Sequence, residues 1–416
     1  MPARSQAARL SAYLVLEDGS VYRGARLGAD GEATGEVVFN TSMTGYQEML
    51  TDPSYGGQIL IPTYPLIGNY GVNDDDWESK RIQVRGFVVR SDCDLPSHRD
   101  SKSTIDEFLA ENGIPGISGV DTRAITRKLR SHGVMMGLIT AEEDVEYGLK
   151  QIGAAPRYGE FDVVTNVSTS EIYTWDGAGT AAGDGRPHVV VVDLGVKHNI
   201  LRNLEKRGCR VTVTPMDVTA EQVMALEPDG VLLSPGPGDP VFLDSVVDLA
   251  KSLSDRVPMF GICLGHQVIA RAFGAETFKL KFGHRGGNHS VMDDESGRVY
   301  VTAQNHGYAV SRDGLSDEMM VTHRDLSDDT VEGLRHKTLP IMTIQYHSEA
   351  SPGPRDAEYL FDRFVEMVAD AKRTPSASGR GDIWRTSSAQ RNRQMPRFSP
   401  EDGTQRTELF DTRNLL

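Results

Sequence analysis

From residue 188 onward, short β-branched apolar runs alternate with stretches of helical pattern, and few folds accommodate that rhythm. The apolar runs occupy 188–193, 210–214, 230–234 and 257–260, and helical stretches fall between them at 197–206, 220–226 and 241–253. Such alternation predicts a mainly parallel sheet with helices on both faces. In open sheets of this kind ligands gather at the carboxyl ends of the strands. Two stretches lie at such ends: the loop Ser234-Pro235-Gly236-Pro237-Gly238-Asp239-Pro240 and the segment Phe260-Gly261-Ile262-Cys263-Leu264-Gly265-His266-Gln267.

The second of these leads into an apolar stretch at 268–273, so a short strand is predicted to turn sharply into a helix with Cys263 at the turn. Gly261 and Gly265 flank the cysteine as glycines flank serine in a nucleophile elbow, where a strained turn lifts the reactive atom clear of the sheet and small neighbours leave room for substrate. A helix N-terminus behind the sulfur favours the thiolate, and the amide of Leu264 points to where an oxyanion would form. A buried structural cysteine in a β-turn-α unit accounts for the same residues, so partners must decide. They appear downstream, where an apolar segment at 339–344 precedes Gln345-Tyr346-His347-Ser348-Glu349-Ala350. His347 and Glu349 then stand two residues apart just past a strand end, with side chains leaving on one face of an extended chain. That spacing suits a histidine base whose far nitrogen is held by a carboxylate.

With these residues in hand the sequence resembles the class I, triad-type glutamine amidotransferases. The likeness continues outside that region. Asn40-Thr41-Ser42-Met43-Thr44-Gly45-Tyr46-Gln47-Glu48, Thr51-Asp52-Pro53-Ser54-Tyr55 and Lys281-Phe282-Gly283-His284-Arg285-Gly286-Gly287-Asn288-His289 are similar to segments of the small, glutamine-hydrolysing subunit of carbamoyl-phosphate synthase. The resemblance runs from about residue 11 to about residue 372. It implies Cys263, His347 and Glu349 as the catalytic triad. It also implies glutamine contacts at Ser54, Gly236, Gly238, Leu264, Gln267, Asn305, Gly307 and Tyr308, with Gly236 as a second oxyanion donor. L-glutamine is the implied substrate. The implied partner is a large subunit that uses ATP and Mg to make carbamoyl phosphate from bicarbonate, for pyrimidines and arginine; no cofactor is expected in this chain, which has no Walker loop of its own. Two positions depart from the family pattern. Tyr308 replaces the commoner phenylalanine, which matters little if the contact is through backbone, and Ser348 stands where proline usually separates the histidine and glutamate, removing a φ restraint between two triad members.

The remaining regions are read more coarsely. A chain of 416 residues predicts more than one domain. Residues 11–175 are expected to form a β-rich α/β domain. It carries antiparallel strands with tight turns over 13–38, further strands at 59–61, 82–89 and 134–140, and helices at 103–112, capped by Ser103, and 121–132, ended by Gly133. A glycine- and alanine-rich linker is expected at 176–187, the amidotransferase domain at 188–373 with a closing helix over 354–371, and a disordered tail at 374–416. Gln304-Asn305-His306-Gly307-Tyr308 is expected just after a strand, with His306 ranked behind His347 as base. His284 and His289 with Asp293 and Asp294 invite a metal reading, but their glycine-rich setting favours a structured loop. With 59 acidic against 44 basic side chains, the net charge of −15 argues against nucleic acid or an anionic membrane as the main partner. No apolar run approaches the ~18 residues of a span. Three cysteines suit a reducing cytosol, so a cytoplasmic location is expected.

Overall fold

The computed structural model describes residues 10–175 and 185–373. The expected linker falls largely, and the expected tail wholly, outside the described residues. Near the N-terminus, strands β1 (Ser11–Leu16), β2 (Val21–Gly28), β3 (Ala33–Asn40), β4 (Gln58–Pro62), β5 (Gly86–Val89), β6 (Pro115–Ser118) and β7 (Met135–Thr140) close into a barrel. Their order around it is β1-β2-β6-β5-β4-β3-β7. Closure removes the edges that an open sheet would expose. The antiparallel expectation holds for β1 with β2, which pair across the Asp18-Gly19 turn, but β3 through β6 are neighbours joined in parallel. Parallel neighbours need crossover connections, and the segments between these strands are long enough to supply them. The barrel interior is apolar, with Leu14, Val37, Ile59, Val88 and Ile117 all fully buried.

Helix α1 (Tyr46–Thr51), between β3 and β4, escaped the sequence reading. Helix α2 (Ile105–Glu111) is capped by Thr104 and not by Ser103. The Thr104 hydroxyl accepts the Glu107 amide while the Glu107 carboxylate accepts the Thr104 amide, so two orphan donors are satisfied reciprocally. Helix α3 (Thr122–His132) starts on the Asp121 cap and stops at Gly133, as expected. Helix α4 (Val145–Ala154) packs on the outside of β1 and β7 and was also not foreseen.

The second body follows the predicted alternation: β8 (His188–Val192), α5 (His198–Lys206), β9 (Arg210–Thr214), α6 (Ala220–Ala225), β10 (Gly230–Leu233), α7 (Asp244–Leu253), β11 (Met259–Ile262) and α8 (Leu264–Ala272). It continues with β12 (Thr277–Asp293), β13 (Arg298–Val310), β14 (Met319–Asp325), β15 (Val331–His336), β16 (Ile341–Ile344) and α9 (Tyr359–Arg373). The sheet runs β9-β8-β10-β11-β16-β15-β13-β12-β14, with the short strand Tyr173–Thr174 outside β9. Pairing is parallel from β9 to β16 and antiparallel beyond. Both faces are covered, and β8 divides by period two: Val189 and Val191 pack towards α5 and α9, Val190 and Val192 towards α6, α7 and α8.

Three expectations are corrected. The closing helix begins at Tyr359, because residues 355–358 form a turn after Gly353 and Pro354. Residues 304–308 lie inside β13, not after it. The glycine-rich stretch 281–289 is strand as well, bent by irregularities between Lys279 and His284 and between Gly286 and His289. Gly283 and Gly286 take φ of 71° and 143°, which lets the ladder break without ending the strand. Among the described residues no helix is long and apolar enough to cross a membrane.

Candidate active site

Strand β11 ends at Ile262, helix α8 starts at Leu264, and Cys263 between them takes φ 53° and ψ −104°. A side chain held at positive φ costs on the order of 1–3 kcal/mol, and the packing around it enforces the turn. A Cβ on Gly265 would lie 2.2 Å from the Leu233 carbonyl oxygen, and one on Gly261 would lie 2.6 Å from that of Gly265. The two glycines are therefore required by the neighbouring strand and by the turn itself, and not chiefly by room for substrate. Among the described residues the amides of Leu264 and Gly236 donate to no protein acceptor, so both remain available to an oxyanion.

The Cys263 side chain is 2% exposed. Its sulfur lies 3.8 Å from the Asn305 carbonyl oxygen and 3.7 Å from the Gln345 side-chain nitrogen. His347 and Glu349 meet at 2.6 Å through Nδ1 and Oε1. They do so inside a turn, with the Ala350 amide on the His347 carbonyl, and not along the extended chain predicted from their spacing. Ser348 is fully buried there and the contact forms without proline's restraint. Nε2 of His347 makes no formed hydrogen bond, yet the cysteine sulfur is near enough to favour its protonated form. Burial alone would lower the His347 pKa; Glu349 and the sulfur outweigh it and push it up to about 10. Burial likewise works to raise Glu349, but Lys197 and His347 hold its carboxyl down at about 2.

Lys197 is a group that the sequence reading missed. It is 1% exposed, with Nζ 3.1 Å from Glu349 Oε1 and 2.5 Å from the Ala350 carbonyl oxygen. The lysine lies at the N-terminal boundary of α5, a position that carries no sequence signal for burial. Two carboxylates of the first domain share its field. Asp52 accepts the Asn305 side-chain amide at 3.0 Å and the Ser54 amide at 2.9 Å, while Glu78 accepts the Asn199 amide at 3.0 Å. The cap Asp52 ahead of Pro53 also fixes Ser54, whose hydroxyl is buried without a partner.

The expected residues converge. Ser54, Gly236, Gly238, Cys263, Leu264, Gln267, Asn305, Gly307 and Tyr308 line one cleft between the two bodies. His347 lines an adjoining cavity that shares Asn305, and Glu349 sits behind it. Gln267 turns its amide nitrogen to the Tyr308 carbonyl at 2.8 Å and to Gln345 Oε1 at 3.0 Å, so it fixes β13 against α8. His306 has both ring nitrogens within hydrogen-bond distance of protein oxygens, at 2.8 Å from Tyr308 O and 2.9 Å from Gln304 Oε1, and burial depresses its pKa well below the usual range. It offers no free nitrogen as a base.

His284 and His289 gather with Asp325, and His284 also with His306 and Glu332, rather than with Asp293 or Asp294. His284 lies 2.9 Å from Asp328 and 3.7 Å from Glu332. Burial opposes its charge, but the carboxylates push its pKa up to about 9, so an imidazolium neutralises the cluster itself.

Comparison with known proteins identifies the family. Residues 14–139 match the family described as carbamoyl-phosphate synthase small chain, CPSase domain, and residues 190–367 match glutamine amidotransferase class-I. The carbamoyl phosphate synthase small chain of Listeria monocytogenes serotype 4b (strain F2365) is 51% identical over 360 residues, covering 85% of this chain and 96% of the relative. The chain belongs to the carbamoyl-phosphate synthase small-chain family. Another family member, the carbamoyl phosphate synthase pyrimidine-specific small chain of Bacillus subtilis (strain 168), is 49% identical over 367 residues, covering 88% of this chain and 98% of that one. A solved structure, that of a putative GMP synthase subunit from Thermoplasma acidophilum, is similar over 45% of this chain and 96% of its own, at 24% identity and a TM-score of 0.41. In this chain the two matched regions correspond to the barrel and to the sheet whose junction forms the cleft.

Proposed function

We propose that this chain is the glutamine-hydrolysing subunit of a carbamoyl-phosphate synthase and that the cleft at the domain junction is its glutaminase site. The observation that carries the reading is the strained Cys263 turn beside a buried His347–Glu349 pair held at 2.6 Å. Glutamine enters the cleft with its side-chain carboxamide at Cys263. The sulfur attacks that carbon, His347 having taken the thiol proton, and the oxyanion is held by the amides of Gly236 and Leu264. Glu349 orients His347 through Nδ1 and stabilises the imidazolium, whose proton goes to the departing ammonia. Water, activated by the same histidine, attacks the thioester and releases glutamate. Ser54, Asn305, Gly307 and Tyr308 shape the pocket for the remainder of the substrate, and Gln267 holds the β13 backbone that presents the last three.

Ammonia then passes to a large subunit that binds ATP and bicarbonate and makes carbamoyl phosphate, the precursor of pyrimidines and arginine. The test is reconstitution with such a large subunit. Cys263→Ser is expected to abolish glutamine-dependent carbamoyl phosphate formation while leaving synthesis from free ammonia intact. Loss of both activities in a folded complex, or survival of both, would refute the assignment.

A further inference from the structure

We propose that Tyr158 is a positioning residue for the loop that carries the oxyanion donor, which makes the first domain a working part of the catalytic centre. The proposal rests on the glutaminase reading above. After α4 the chain leaves the barrel and passes over the cleft on its way to the second body. Tyr158 lies on that strap. Its ring packs with the barrel-side cluster of Val15, Met136, Leu138 and Ile152, and its edge comes within 3.1 Å of where a Cβ on Gly57 would stand. At the far end its phenolic oxygen accepts the amide of Gly238 at 2.9 Å.

Gly238 belongs to the same tight loop as Gly236. It takes φ 89° and has no side chain to anchor it, so its orientation depends on what its backbone touches. A second phenol stands near this loop: the hydroxyl of Tyr308 lies close enough to Asp239 to feel its charge, and 2.6 Å from where a Cβ on Gly159 would stand. On the inner side, Gly236 is pressed against Leu194, where an added Cβ would come within 2.0 Å of the carbonyl oxygen. The loop is therefore fixed from inside by sheet packing and from outside by Tyr158, which arrives from the barrel. An oxyanion donor acts only if it stands where charge develops, and a displacement of about 1 Å costs roughly a hundredfold in rate. Any shift of barrel against sheet is delivered to the donor loop through the Tyr158 bond.

Tyr158→Phe keeps the ring and deletes only the acceptor. In the complex with the large subunit, kcat for glutamine hydrolysis is expected to fall roughly tenfold, a partial misplacement of one donor, with KM changed less than about twofold. The melting temperature should stay within about 2 °C. An aldehyde analogue of glutamine, which adds the Cys263 sulfur to its carbonyl carbon and leaves the former carbonyl oxygen in the donor site, should bind weaker by the same roughly tenfold factor. Tyr158→Leu, which deletes the same acceptor and keeps an apolar side chain against the barrel cluster, should give a loss of the same kind, and it keeps the test open if Tyr158→Phe fails to fold. An unchanged kcat, or a raised KM with kcat intact, would overturn the proposal, because either would make the strap only a wall of the pocket. Absence of glutamine hydrolysis by the wild-type complex would instead remove the functional reading itself.

Discussion

Lys197→Met isolates the group that sets the charge state of the triad. The methionine fills nearly the same volume, so what is lost is a buried cation 3.1 Å from Glu349 and its bond to the Ala350 carbonyl. Glu349 is wholly buried, its other carboxylate oxygen has no partner, and burial is the largest influence on it. With the cation present its carboxyl stands at about 2 against an ordinary 4.5, a difference equivalent to about 3 kcal/mol of stability at neutral pH. Removing one partner of a buried pair costs a similar amount, roughly 3–5 kcal/mol. Because the folded-state value is depressed, this stabilisation is fully present above 4.5 and is lost as pH falls towards 2. The variant lacks the share of it that the lysine supplies already at pH 7, while the share from His347 remains. Urea unfolding should therefore show a large gap between wild type and Lys197→Met at neutral pH, narrowing on the acid side of 4.5. Glutamine hydrolysis should fall as well, since a Glu349 that takes up a proton no longer stabilises the His347 imidazolium. A variant as stable and as active as wild type at pH 7 would refute this account of the lysine, as would a stability gap that stays constant into acid.

Gly265→Ala should destabilise the fold by more than the ~1 kcal/mol typical of point substitutions, because its methyl would stand 2.2 Å from the Leu233 carbonyl, and loss of glutaminase should accompany a lowered melting temperature. For His284, whose pKa is raised from 6.5 to about 9, the sign is opposite to that of Glu349. Its contribution is complete below 6.5 and disappears as pH rises through 9, so the fall in melting temperature over that window should be shallower in His284→Asn.

Periodicity and turn chemistry carry most of the second body. Val189 to Val192 bury both faces of β8, and the Gly261 and Gly265 spacing marks the Cys263 turn, because those constraints act within a few residues of one another. The barrel was less legible. Its parallel neighbours are joined across tens of residues, and the six-residue α1 is buried on nearly every side, so it shows no amphipathic stripe. Ser103 and Thr104 are chemically equivalent as caps on paper, and only the reach of Glu107 chooses between them. The residues of β13 read as a loop because Asn305, His306 and Gly307 are poor strand formers, yet pairing with β12 overrides that preference. The supports of the triad were invisible for a different reason. Asp52 and Tyr158 act on groups brought close only by the packing of two bodies, and Lys197 acts on a carboxylate distant in the chain.

Those three residues also explain why the chemistry stands at a domain junction. Asp52 holds the Asn305 amide, Asp52 and Glu78 add to the field around Lys197, and Tyr158 holds the Gly238 amide. Each link joins the barrel to a different part of the site: the substrate-facing strand, the support of the triad carboxylate, and the donor loop. A rotation that stretched them would leave Cys263, His347 and Glu349 in place on their own sheet and still lower the rate, because hydrogen bonds weaken steeply once distance and angle are lost. A partner that grips the barrel can therefore change turnover without touching the cysteine, and the change should fall on kcat more than on glutamine affinity. Under the proposed function this is the physical route by which a large subunit could match ammonia release to its own readiness. It requires the junction bonds and not the elbow to be what binding adjusts.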